Sequence, residues 1–98
     1  MQYLVVAYDN TDDEAPKRRL ESREAHLKLI AEYKAKGHMK MGAALLDEAG
    51  NMVGSTLIVE FDSPDELQDW LDEEPYMLND VWGDVMVTQC RIAPSFVQ

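Results

Sequence analysis

Apolar residues fill every position from Tyr3 to Tyr8, with none of the alternation of a half-solvated strand, so this segment reads as a strand covered on both faces. Asn10 to Ala15 is polar, and Pro16 suits the first turn of a helix. From Lys17 to Lys36 the apolar positions Leu20, Leu27, Ile30 and Ala31 recur at helical spacing, which predicts that this stripe faces the core. Gly37 is placed to end that helix, after Lys34 and Lys36 at its negative end. Met39 to Leu46 reads as a second strand. Asp47 to Asn51 is turn chemistry with Gly50-Asn51 at the tip, and Met52 to Phe61 is the returning strand of a hairpin. Ser63-Pro64-Asp65-Glu66 is a capping box with proline at the first helical position. Leu67, Trp70 and Leu71 then form a buried stripe, and Pro75 breaks the helix. Tyr76 to Trp82 has room for one further helical turn, and Asp84 to Ile92 is the last strand.

The order β-α-β-β-α-β predicts one α+β domain over residues 1–98. It is ferredoxin-like, with a four-stranded antiparallel sheet and both helices on one face. The other face should then be polar, yet Leu4, Val6, Tyr8 and Ile58 are as apolar as their neighbours. A second copy packed against that face is the simplest cover, so a homodimer through the open sheet face is expected. Met39, Met41, Met52 and Met86 are read as ordinary core.

Composition narrows the partners. The 98 residues carry 9 Lys+Arg against 19 Asp+Glu, a formal net charge of −10, the wrong sign for a general nucleic-acid or anionic-membrane binder. Twelve of the acids but only one base, Arg91, lie in residues 41–98. The acidic run from Glu60 to Glu74 has neither the spacing of a calcium loop nor a histidine, and reads as a solvated face. No apolar run approaches the ~20 residues of a membrane span. The single cysteine, Cys90, and the absence of a leader pattern point to the cytoplasm as the expected compartment.

Few residues offer chemistry. His38 follows Gly37 and reads as surface. His26 lies mid-helix at the edge of the predicted apolar stripe, three residues after Arg23 and on the same face. By periodicity alone a histidine there is structural. Cys90 reads as a packed thiol, no serine sits in a nucleophile elbow, and no phosphate loop or paired-cysteine motif occurs.

Several segments together are similar to the YciI-like (YCII-related) family over nearly the whole chain. These are Leu4-Val5-Val6-Ala7-Tyr8-Asp9, Arg23-Glu24-Ala25-His26-Leu27, the hairpin Leu45 to Ser55, Asp62 to Leu67, and Glu74-Pro75-Tyr76 where the family has Asp-Pro-Tyr or Asp-Pro-Phe. The resemblance implies dimerisation through the sheets into a small α/β barrel, and a His–carboxylate site in a cleft. Carried over, the histidine is His26 and the carboxylate Glu74, with Arg23 alongside as a contact for an anion or substrate oxygen. Three positions depart from the family pattern: Glu74 for its Asp, Ala43-Ala44 for its Gly-Pro, and Asp80 for its Gly.

Two functions follow from this reading. One is cofactor-free acid–base catalysis (lyase, isomerase or hydrolase type) on a small organic molecule, with no cofactor or metal and with Tyr8, Tyr33, Tyr76 and Trp82 as an aromatic wall. The other is a non-catalytic dimeric ligand-binding or interaction module. In it the bases Lys17-Arg18-Arg19 would meet the acidic surface of residues 60–74, within or between chains.

Overall fold

The computed structural model describes residues 1–96. Its elements are β1 (Gln2–Asp9), α1 (Ala15–Ala35), β2 (Met39–Leu46), β3 (Met52–Glu60), α2 (Pro64–Glu73), α3 (Pro75–Leu78) and β4 (Trp82–Cys90), followed by a 3₁₀ turn at Pro94–Phe96. The strands form one sheet in the order β2-β3-β1-β4, every neighbouring pair antiparallel, which is the ferredoxin-like arrangement. The last strand begins two residues earlier than the sequence pattern suggests. No helix among the described residues is long and apolar enough to cross a membrane.

Local chemistry places the turns. Gly50 adopts a φ of +86°, and Asp47 Oδ1 accepts from the backbone N–H of Ala49 and Asn51, both at 2.9 Å. Ser63 Oγ accepts from Glu66 N at 3.2 Å, while Glu66 reaches back to the N–H of Asp62 at 2.9 Å. Pro75 forces Glu74 out of helical geometry (φ −63°, ψ 119°), and α3 starts afresh at right of that kink.

The core lies between the helices and one sheet face. Tyr3, Val5 and Ala7 of β1 and Leu57 and Val59 of β3 pack with Phe61, Trp70 and Val81. Residues of the opposite register, Leu4, Val6 and Tyr8, face the uncovered side with Met41 and Met86. That side is apolar, as the two-sided strands imply. Met41, Met52 and Met86 are exposed, Met86 at 64%, so they are not core; Met39 alone of the four packs against the core cluster.

α1 differs most from its predicted orientation. Leu20 and Leu27 are 75% and 45% exposed, while the buried positions are Ala15, Arg19, Ser22 and His26. The two leucines each follow a buried polar residue by one position, which on an α-helix is a rotation of about 100°. Polar partners beneath the N-terminal half of α1 make the polar stripe the better one to bury. Only further along do Leu29, Ile30 and Tyr33 pack against the core. His38 is also not free surface: it stacks on Phe61 (centroids 4.6 Å apart), and its Nδ1 lies 2.8 Å from the Glu60 carbonyl oxygen.

The helix-start bases pair locally rather than with residues 60–74. Lys17 faces Glu21 at 3.9 Å, Arg19 faces Asp9, and Arg18 grips both Asp12 oxygens at 2.6 and 2.7 Å and the Asp80 carbonyl. The hydrogen bonds from Arg18 lower the Asp12 carboxyl from 3.8 to about 2. A lowered folded value gives stability that is present above the unfolded value and lost as pH falls through the folded one. Asp12→Asn is therefore expected to be less stable than the parent at neutral pH, with the gap closing between pH 4 and pH 2 in urea melts. A gap that does not change with pH would contradict this pairing.

Candidate functional site

Glu74 sits at the α2–α3 kink with its side chain 0% exposed. Its Oε1 accepts from the backbone N–H of Tyr76 at 3.4 Å, capping α3, and is in hydrogen-bond contact with Nδ1 of His26 on α1. Its Oε2 is buried without a hydrogen-bond partner. A carboxylate taken wholly out of water costs several kcal/mol unless a charge or strong donor compensates it, and His26 Nδ1–H is the side-chain donor it meets.

Aromatic and charged groups fix the imidazole. Tyr76 stacks on it at 3.9 Å with a 10° interplanar angle, and Trp82 meets it edge-on at 5.9 Å. The guanidinium of Arg19, two helical turns before His26, lies 4.8 Å from the centroid of the same Tyr76 ring. Arg19 is itself held by Asp9 (Nε to Oδ2, 3.1 Å), the Gly54 carbonyl (2.6 Å) and Ser55 Oγ (3.0 Å). Gly54 itself lets β3 lie close against β1: a Cβ there would be 2.5 Å from the Ala7 carbonyl oxygen. Ser55 Oγ also accepts from Trp82 Nε1 at 3.2 Å. Burial pushes the Asp9 carboxyl up despite Arg19, and pushes the Tyr76 phenol up despite Arg19 and Arg23.

His26 opens onto a groove of about 390 Å³ between α1 and the β2–β3 hairpin, walled by Leu27, Ile30, Gly42, Leu57 and Tyr76. With Nδ1 committed to Glu74, the second ring nitrogen, Nε2, makes no hydrogen bond among the described residues and is left for the groove. Such an arrangement is chemically able to move a proton: a carboxylate can orient the ring and balance its charge, and the far nitrogen is then free to give or take one. Arg23 stands on the groove's wall, exposed and without an ion-pair partner among the described residues. Among the same residues, no group of three His, Cys, Asp or Glu side chains is disposed to hold a metal ion.

Of the sequence candidates, His26 and Glu74 are in contact and Arg23 shares the groove with His26. Glu74 lies behind the imidazole in the interior, not at the cleft rim. Of the four suggested aromatic wall residues only Tyr76 lines this groove. Trp82 backs the imidazole, and Tyr8 lies over a separate hollow near Asp9. Tyr33 donates to Glu73, and burial with that acceptor pushes its phenol up to about 12. Sequence reasoning missed Arg19, Asp9 and Ser55. The repeat Arg19, Ser22, His26 at helical spacing was the available signal.

A family model described as YCII-related domain matches residues 1–91. The chain belongs to the YCII-related family. Protein YciI of Escherichia coli O6:H1 is 31% identical over 93 residues, covering 89% of this chain and 93% of that protein. An uncharacterized protein of Haemophilus influenzae is 30% identical over 95 residues. Among solved structures, the 5-chloro-2-hydroxyhydroquinone dehydrochlorinase TftG of Burkholderia phenoliruptrix AC1100, in complex with 2,5-dihydroxybenzoquinone, matches with a TM-score of 0.84 at 22% identity. The match covers 97% of this chain and 98% of that one. At that identity the likeness shows the fold. The three departures of this YCII-related chain now have places. Glu74 reaches His26 despite its added methylene, Ala43 and Ala44 line the groove, and Asp80 adopts the positive φ (55°) that suits a glycine.

The buried pair predicts a graded response at position 74. Glu74→Ala removes both the cap and the partner of His26, and is expected to cost about 3–5 kcal/mol. Glu74→Gln keeps an amide oxygen for both donors and should cost distinctly less. Equal losses in urea melts would show that the carboxylate shape and its acceptor do not matter there.

Proposed function

We propose that this protein is a cofactor-free acid–base catalyst of the lyase, isomerase or hydrolase type. It acts on a small organic molecule bound in the groove between α1 and the β2–β3 hairpin. The observation that carries the reading is the buried Glu74 paired to His26 Nδ1, which leaves Nε2 as the one histidine nitrogen free toward the groove. In a lyase or isomerase turnover Nε2 takes a proton from the substrate, the released electron pair expels the leaving group or shifts a double bond, and the imidazolium returns the proton; in a hydrolytic one Nε2 takes the proton of a water that adds to the substrate and returns it to the departing group. Glu74 balances the imidazolium, and Arg23 contacts a substrate oxygen. The dehydrochlorinase with the same fold supports chemistry of this kind. We also propose that the uncovered face carrying Leu4, Val6, Tyr8, Met41 and Met86 pairs with a second copy, closing two sheets into an α/β barrel.

A second reading has its own observation. Because Glu74 Oε1 also caps α3, the same contact clasps α1 to α3 and would serve a purely binding module.

Two variants separate the readings. His26→Asn removes the proton-transfer group and should lower kcat/KM by about 100-fold or more toward halogenated hydroquinones such as 5-chloro-2-hydroxyhydroquinone. Gly42→Leu should block substrate while leaving the His26–Glu74 pair intact, since a Cβ at Gly42 meets only Leu57 at an ordinary 3.9 Å. Sedimentation of the parent at micromolar concentration should give two copies. A folded parent with no His26-dependent turnover over a panel of such substrates would leave the clasp.

A further inference from the structure

The groove's polar inventory is one-sided. The chain as a whole carries more than two acids per base, yet no aspartate or glutamate lines this groove, while Arg23, Lys34 and Lys40 do. Lys40 is partly offset by Glu60 at 3.7 Å, but Arg23 and Lys34 have no ion-pair partner among the described residues. In a molecule of net charge −10 this is a local excess of basic side chains, and a concavity so lined favours an anionic occupant.

Ser55, on the groove floor and 6% exposed, adds an independent constraint. A hydroxyl has two acceptor sites and one proton. Both acceptor sites are taken, one by Arg19 Nη2 at 3.0 Å and one by Trp82 Nε1 at 3.2 Å. The proton has no acceptor among the described residues, so the only hydrogen bond left to Ser55 is one it donates. Tyr76 also lines the groove; its hydroxyl makes no hydrogen bond among the described residues, and burial pushes the phenol up. The remaining walls are flat or flexible and apolar: Ile30, Met39, Leu57 and the Tyr76 ring.

We propose that the groove takes a small planar organic anion, a carboxylate or phenolate on an apolar frame, held by the charge of Arg23 and by a hydrogen bond donated from Ser55. This deepens the catalytic reading by naming its substrate class. The anionic oxygen sits against the donors while His26 Nε2 faces the frame.

Amide NMR titration of the intact protein with 2,5-dihydroxybenzoate and its neutral amide, 2,5-dihydroxybenzamide, tests it. The acid should bind at least about tenfold more tightly at low salt, with shifts on α1 and β2, and the preference should shrink as salt is added. Arg23→Gln, at an exposed position, should abolish most of the preference. Ser55→Ala should weaken binding of the acid, and Ser55→Thr, which keeps the hydroxyl, should restore it; if Ser55→Ala does not fold, Arg23→Gln decides. Equal affinity for acid and amide, a preference that survives Arg23→Gln, or shifts confined to another surface would overturn the proposal. An Arg23-dependent preference without His26-dependent turnover would support it while the catalytic reading falls. Turnover without any preference for the anion would do the reverse.

Discussion

A carboxylate with no exposed surface organises this fold. Glu74 is carried into the interior by the proline that follows it, and once there it must meet a donor strong enough to replace water. That donor is His26, so α1 has to lie with His26 inward. Its helical neighbours Ser22 and Arg19 are then turned inward as well. Arg19 in turn needs Asp9, the Gly54 carbonyl and Ser55, which fixes how α1 crosses the ends of β1 and β3. Leu20 and Leu27 are left outside. Burying them would gain roughly 1.5–3 kcal/mol each, but the same rotation would strip the partners from two buried charges, Glu74 and Arg19, at about 3–5 kcal/mol each.

The same arrangement generates the groove. Because α1 lies on its polar stripe, the space beside it over β2 and β3 is walled by side chains of modest size, with Gly42, Ala43 and Ala44 along β2. Tyr76 links the two halves of the site, touching the His26 ring and the Arg19 guanidinium at once. Structural stability and the proposed chemistry therefore rest on the same atoms: the contact that compensates the buried Glu74 also orients the imidazole.

Most of the fold was legible in the sequence because its signals are local. The unbroken apolar run at Tyr3–Tyr8, the turn at Gly50 and the Ser63-Pro64 start each depend on neighbouring residues, and the structure places strands, hairpin and α2 accordingly. The rotation of α1 was not legible, because an apolar template assumes that the stripe richest in leucine is buried. The partners that reverse that choice, Ser55 and Glu74, lie 36 and 48 residues away along the chain. The pairing of His26 with Glu74 was accessible only through family resemblance; no spacing rule connects them. Asp9 and Ser55 escaped for the same reason, while Arg19 was signalled only by its helical spacing from Ser22 and His26.

The site depends on Glu74 holding the proton of His26 on Nδ1 and leaving Nε2 bare. Long-range ¹H–¹⁵N correlation of the imidazole reads this directly. At a pH where the neutral ring is populated, Nδ1 should carry the hydrogen and Nε2 should show the shift of an unprotonated nitrogen. A neutral ring protonated at Nε2 would contradict it.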